Sequence, residues 1–122
     1  MIGSTRVVRV YAHTEPTDMR KGFDGLAGLV QRGLHRDPLS GDVFLFVSRR
    51  RQHAKVLLWD GTGLCIFAKR LERGRFAAPW ERGAEGCVEM TLSELTLLLE
   101  GSRLVGRQSL SPPPFVLSTE KR

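Results

Sequence analysis

No apolar run in this sequence approaches the roughly 20 residues that a membrane-spanning helix needs, and stretches such as Val43–Val47 and Leu97–Leu99 fall far short. The first residues, MIGSTRVVRVY, also lack the apolar core of roughly 7 to 15 residues that marks a secretory signal. Both absences lead to the expectation of a cytosolic protein with no membrane role. Cysteine is scarce: Cys65 and Cys87 are the only two. In a reducing compartment they are expected as free, partly buried thiols rather than as a disulfide.

Several kinds of chemistry are missing as well. No glycine-rich segment has the spacing of a P-loop or a dinucleotide-binding turn, and Asp60-Gly61-Thr62-Gly63 does not supply it. His13, His35 and His53 are scattered relative to the cysteines without a paired ligand spacing, so no metal site and no cofactor are expected. Ser40, Ser48 and Ser93 occupy turn or cap positions without an elbow of framing glycines, which argues against a hydrolase triad. A metal-dependent nuclease would need carboxylates converging on divalent ions, and Asp18, Asp24, Asp60 and Glu72 are the candidates. Asp60, however, stands where a turn favours aspartate, and Glu72 sits among arginines as a charge partner. No catalytic residue is assigned, and the chain reads as a binding protein rather than an enzyme.

What is present is a globular composition, 41% hydrophobic and 26% charged over 122 residues, enough for one domain. The formal charge is +6, from 19 Lys and Arg against 13 Asp and Glu. Its distribution is uneven. Between residues 49 and 75 stand Arg49, Arg50, Arg51, Lys55, Lys69, Arg70, Arg73 and Arg75, with only Asp60 and Glu72 opposing them. That stretch carries the whole excess, and the rest of the chain is balanced.

Periodicity and turn signals suggest an α+β fold, a small antiparallel β-meander packed against one main helix and a short C-terminal helix. Residues 6–12 (RVVRVYA) alternate Val8 and Val10 with Arg9 and Tyr11, as expected of an edge or half-exposed strand. Pro16 disfavours helix at Glu15, and Thr17 followed by Asp18 forms an N-cap signal that predicts a helix from Thr17. Met19, Phe23, Leu26, Val30 and Leu34 then mark its apolar stripe. Gly22, Gly25 and Gly28 weaken that helix and suggest close packing on a flat surface. Residues 43–47, 54–59 and 64–69 read as three strands. The Asp60–Gly63 turn joins the last two, and a basic loop at 48–53 joins the first two.

Pairing Trp59 with Leu64 puts Lys55, Leu57 and Trp59 on one face with Leu64, Ile66 and Ala68, and Val56 and Leu58 on the other with Cys65 and Phe67. Both faces are apolar, so each needs a cover. Residues 76–90 read as a loop with a short strand near Cys87–Met90, and Thr91-Leu92-Ser93-Glu94 has capping-box spacing for a helix ending at Gly101. The domain is expected to span 1–104, with a tail at 105–122 that contains Pro112-Pro113-Pro114.

The strand directions carry a functional expectation. Strand three returns to the end at which strand two began, so Lys69, Arg70, Arg73 and Arg75 arrive beside Arg49, Arg50 and Arg51, with Lys55 close by. Converging arginines suit a phosphate backbone, through bidentate hydrogen bonds and release of counterions. An acidic protein partner and a merely solvated basic surface remain open alternatives. Phe76 and Trp80 lie near enough to stack on bases, but core packing is the more usual role after a strand.

The ordered segments PTDMRKGFDGLAGLV (16–30), DPLSGDVFLFVSRRR (37–51), KVLLWDGTG (55–63), KRLERGRF (69–76) and TLSELTLLLEG (91–101) resemble the TnpB-type accessory protein of the sixty-six family of bacterial insertion sequences. The resemblance departs from the family pattern at Thr62, where an acidic residue is common, and at Cys65 and Phe67, in a strand often richer in Trp and Tyr. It implies a small accessory protein encoded beside a separate transposase, needed for efficient transposition but not itself the strand-transfer enzyme. The same name is used for an unrelated RNA-guided nuclease whose carboxylate triad has no counterpart here. DNA at the element ends, the transposase and other element-encoded proteins are the partners implied, and a homo-oligomer is left open.

Overall fold

A computed structural model describes residues 7–82 and 86–101. Strand β1 (Val10–His13) leads through a crossover containing helix α1 (Phe23–Arg32) to β2 (Val43–Val47), β3 (His53–Trp59) and β4 (Leu64–Arg70). A 3-10 turn (Pro79–Arg82), β5 (Cys87–Met90) and helix α2 (Leu92–Leu99) follow. The strands form one sheet in the order β4-β3-β2-β1-β5. The α+β class and the antiparallel β2-β3-β4 meander are as expected, including the pairing of Trp59 with Leu64. The proline-containing tail at 105–122 lies outside the described residues.

The expectation of an N-terminal edge strand is corrected. β1 lies between β2, to which it is parallel, and β5, to which it is antiparallel, and all its residues are buried. The crossover through α1 returns the chain beside β1, and such parallel pairing needs a long connection that sequence alternation does not reveal. Tyr11 therefore faces a covered surface, stacked on Phe44 at 6.0 Å between centroids and capped by the Arg36 guanidinium 3.7 Å from its ring.

The start of the helix is corrected too. The Thr17 N–H donates to the Val47 carbonyl at 2.9 Å, and Thr17 is buried. Asp18 closes a local turn instead, accepting from the Arg20 N–H at 2.9 Å and pairing with the Arg20 guanidinium at 2.8 Å. That side-chain alternative to helix holds the chain until Gly22, which is the N-cap and has no side chain to satisfy it. Leu26 and Val30 bury their side chains on the sheet, but Phe23 remains 52% exposed, outside the stripe assigned to it. Gly25 and Gly28 do not bring the helix against the sheet. Side chains of the same segment, Lys21 and Arg32, occupy the space that a Cβ at each would fill.

Both faces of the sheet are covered. On one, α1 packs Leu26 and Val30 against Tyr11, Phe44, Phe46 and Leu57. On the other, Leu95 and Leu98 of α2 join Phe76, Val10, Leu45 and Val56. The capping box forms as the spacing implied: Thr91 Oγ1 accepts from the Glu94 N–H at 3.0 Å, and Glu94 Oε1 accepts from the Thr91 N–H at 2.8 Å. Cys65 on β4 and Cys87 on β5 are free and half-buried. They sit on opposite edge strands, four strand spacings or about 19 Å apart, beyond the roughly 7 Å that a disulfide allows between Cα atoms.

Candidate nucleic-acid interface

The β2–β3 loop is a tight basic turn. Ser48 and His53 close it, with the Ser48 N–H donating to the His53 carbonyl at 3.0 Å and the His53 N–H donating to Ser48 Oγ at 3.2 Å. Inside it, the Arg51 N–H donates to the Ser48 carbonyl at 2.9 Å, and Arg51 adopts a left-handed backbone with φ of 62°. Glycine or asparagine fits that conformation with less strain than arginine does.

The chain beyond β4 is clamped to this loop by its backbone. Arg70 stands opposite His53, the Leu71 N–H donates to the Gln52 carbonyl at 2.8 Å, and the Phe76 N–H donates to the Arg51 carbonyl at 2.6 Å. Between those two bonds the chain loops out through Arg73, Gly74 and Arg75. Gly74 has φ of 77°, which a side chain would strain. Phe76 then drives its fully buried ring into the core beside Leu95 and Leu98, fixing the loop to the body. Trp80 is half-buried on the same cluster. Both aromatics are thus packing residues, as core placement predicted, rather than stacking platforms.

Arg49, Arg50, Arg51, Arg70, Arg73 and Arg75 are therefore brought to one end of the sheet. Arg49, Arg50, Arg70, Arg73 and Arg75 are exposed there. Arg51 is more enclosed and reaches Glu81 at 4.0 Å, and Arg70 reaches Glu72 at 3.5 Å. Both acids are themselves exposed, and such pairs contribute only about 0–1 kcal/mol, leaving little to hold the cations inward. The two lysines are not part of this grouping. Lys55 turns to the α1 face and donates to the Lys21 carbonyl at 2.9 Å, and Lys69 turns to the α2 face and donates to the Leu99 carbonyl at 2.7 Å. The second of these contacts places a cation at the C-terminal end of a helix, where the dipole favours it.

Two neighbours escaped the sequence reading. His53 shares the α1 face with Lys55 and Arg70, and with Met19 these line an open groove of about 390 Å³. The signal was available: His53 and Lys55 are two apart on a strand, and so on one face.

At the other end of β3 and β4, Asp60 satisfies itself locally. Its Oδ1 accepts from the Thr62 and Gly63 N–H groups, each at 2.9 Å, and from Thr62 Oγ1 at 3.1 Å, while Cys65 Sγ donates to Oδ2 at 3.5 Å. The amides of Thr62 and Gly63 do most to hold its carboxyl down at about 2. Asp18 is likewise held at about 2, chiefly by the Arg20 side chain. Asp18, Asp60 and Glu72 thus each meet separate local partners, and the described residues contain no group of three or more His, Cys, Asp or Glu able to hold a metal. None of the described helices is long and apolar enough to cross a membrane.

A mixed five-stranded sheet with a helical cover on each face, and with Arg49, Arg50, Arg51, Arg70, Arg73 and Arg75 at one end, defines a small α+β domain. The family model for IS66 Orf2-like proteins matches residues 8–109, and the chain belongs to that family, whose members are accessory proteins associated with transposition. Two proteins of Sinorhizobium fredii are similar over 101 residues, which is 83% of this chain: y4hO at 44% identity, with 86% of its own length covered, and y4jC at 38%, with 85% covered. Both carry the name "uncharacterized protein". No solved structure matches the chain significantly.

Proposed function

We propose that this protein is a non-catalytic accessory factor in transposition that grips the phosphate backbone of DNA, alone or in a complex with the transposase. Arg49, Arg50, Arg51, Arg70, Arg73 and Arg75 are the principal contacts, and Lys55 and Lys69 add charge from the flanks. The observation that carries the reading is the pair of backbone hydrogen bonds from Leu71 and Phe76 to Gln52 and Arg51, which bind two arginine loops into one unit. Pre-ordered loops lose less conformational entropy on binding than free ones. Arg51 supports it further, because an arginine held in a left-handed turn stores strain where a glycine would not, and such outliers gather at functional sites. Arginine forks suit phosphate oxygens, and nothing in the arrangement selects a base sequence.

The test is a salt titration of binding to duplex DNA from an element end, read by fluorescence anisotropy. With six phosphate contacts the affinity should fall about 10³-fold between roughly 50 and 200 mM salt. A salt-independent affinity, or no binding by the intact protein, would refute direct DNA contact. A second reading is favoured by Leu92 and Leu97, which α2 leaves 49% and 37% exposed. In it the helix docks on the transposase and the arginines meet an acidic protein surface. Co-purification with transposase that survives nuclease treatment supports this adaptor role.

A further inference from the structure

The two edges of the sheet are protected very differently. β5 is only four residues long and carries an exposed charge, Glu89. β4 is seven residues long, LCIFAKR, without proline or glycine, and among the described residues nothing pairs with its outer edge. Phe67 at its centre is 51% exposed, Lys69 is turned away to the Leu99 carbonyl, and the exposed cation, Arg70, stands at the strand's last position, which leaves residues 64–68 without a charge. Long, apolar, unguarded edges are templates for strand pairing.

We propose that a second copy of this chain pairs antiparallel with the outer edge of β4 about a two-fold axis at Phe67. The hydrogen-bond alternation of the sheet specifies this register. The Asp60 N–H donates to the Gly63 carbonyl, and the Leu71 N–H to the Gln52 carbonyl. With the β3–β4 register, these bonds direct the backbone groups of Cys65, Phe67 and Lys69 inward to β3. Those of Leu64, Ile66, Ala68 and Arg70 point outward. A two-fold at Phe67 sets Ile66 against Ala68 and Leu64 against Arg70 of the second copy, so every outward-facing residue meets another outward-facing one. The two Phe67 side chains meet at a non-hydrogen-bonded position, where side chains come closest and aromatic pairs contribute.

Charge complements the register. The exposed Arg70 of each copy stands opposite Leu64 of the other, the residue that follows the Asp60–Gly63 turn. The basic end of one copy therefore runs beside the acidic turn of the other, twice over. The result is a single sheet running from β5 of one copy to β5 of the other, with the two arginine ends pointing in opposite directions.

The experiment is analytical ultracentrifugation of the full chain with two variants. Ala68→Pro removes an outward N–H while leaving the bonds to β3 intact, and proline is tolerated on an edge with its nitrogen facing out. Phe67→Lys replaces the aromatic pair by facing like charges. The wild type should sediment at twice the chain mass. Ala68→Pro should be monomeric with an unchanged circular dichroism spectrum, and Phe67→Lys should weaken dimerisation about tenfold or more. A monomeric wild type at all accessible concentrations overturns the proposal. So does a dimer indifferent to both variants, which must use another surface. A monomeric wild type that loses transposase co-purification on Ala68→Pro also overturns it, and assigns the edge to a strand of that partner.

Discussion

The two ends of the β3–β4 hairpin differ in where their charges find partners. At the Asp60 end a carboxylate is surrounded by donors from its own turn, two amides, a hydroxyl and a thiol, all within five residues. At the Arg70 end six arginines gather on two loops and the end of β4, and among the described residues their ion pairs are with the exposed Glu72 and Glu81. The backbone at the open end is hydrogen-bonded too, because the Arg51 and Gln52 carbonyls accept from the Phe76 and Leu71 N–H groups. A turn that satisfies its own charge is structural. A braced loop whose charges lie outside is, on the proposed function, where the phosphate backbone is met.

The largest expected effect comes from removing the brace. Phe76→Ala empties a fully buried site and should cost about 3–5 kcal/mol in urea denaturation. A loss below about 1 kcal/mol would mean that the arginine loops are anchored otherwise. Next, Arg49, Arg73 and Arg75 changed together to Ala should leave stability within about 0.5 kcal/mol. The same change should make the slope of log affinity against log salt shallower by about 2.7. An unchanged slope with weakened binding would point to a protein rather than a phosphate ligand.

The glycines give a matched pair. Gly61 (φ 106°) belongs to the closed end and Gly74 (φ 77°) to the open one, and at neither would a Cβ meet a neighbour within 4 Å. Alanine should cost about 1–2 kcal/mol at either through backbone strain alone. Only Gly74→Ala should also weaken DNA binding, since it alone redirects Arg73 and Arg75. Equal effects on binding from both would erase the distinction between the ends.

The smallest effect is the acid dependence set by Asp60. The Asp60 carboxyl is held at about 2, against an ordinary 3.8, so it ionises more readily folded than unfolded. Its contribution to stability is complete above about pH 4 and is lost as pH falls through about 2. Replacing Asp60 by Ala should lower stability at neutral pH and flatten the fall between about pH 4 and 2 in thermal melts. An acid limb of unchanged steepness would show that the turn amides do not favour the ionised carboxylate.

The difference between the ends was partly visible in the amino-acid string. Strand direction alone brought Lys69 and Arg70 back toward Arg49–Arg51, because Asp60-Gly61 specifies a tight hairpin locally. The opposed destinations of Lys55 and Lys69 follow from strand alternation as well. The left-handed Arg51, the clamp from Leu71 and Phe76, and the groove at His53 depend on contacts between separate segments, and no local pattern reports them.

By itself, the sequence determined the β2-β3-β4 meander, the register of β3 on β4, the capping box of α2, the need to cover both sheet faces, the family and the linear concentration of arginine. Each rests on interactions between residues near in sequence, or on side-chain alternation. Tertiary structure alone decided that β1 is interior, that the helix waits until Phe23, and that β4 is left as the open edge. Those outcomes depend on parallel pairing through a crossover, on a Thr17 amide taken by the Val47 carbonyl, and on which strand no other strand reaches. All are settled by partners far away along the chain.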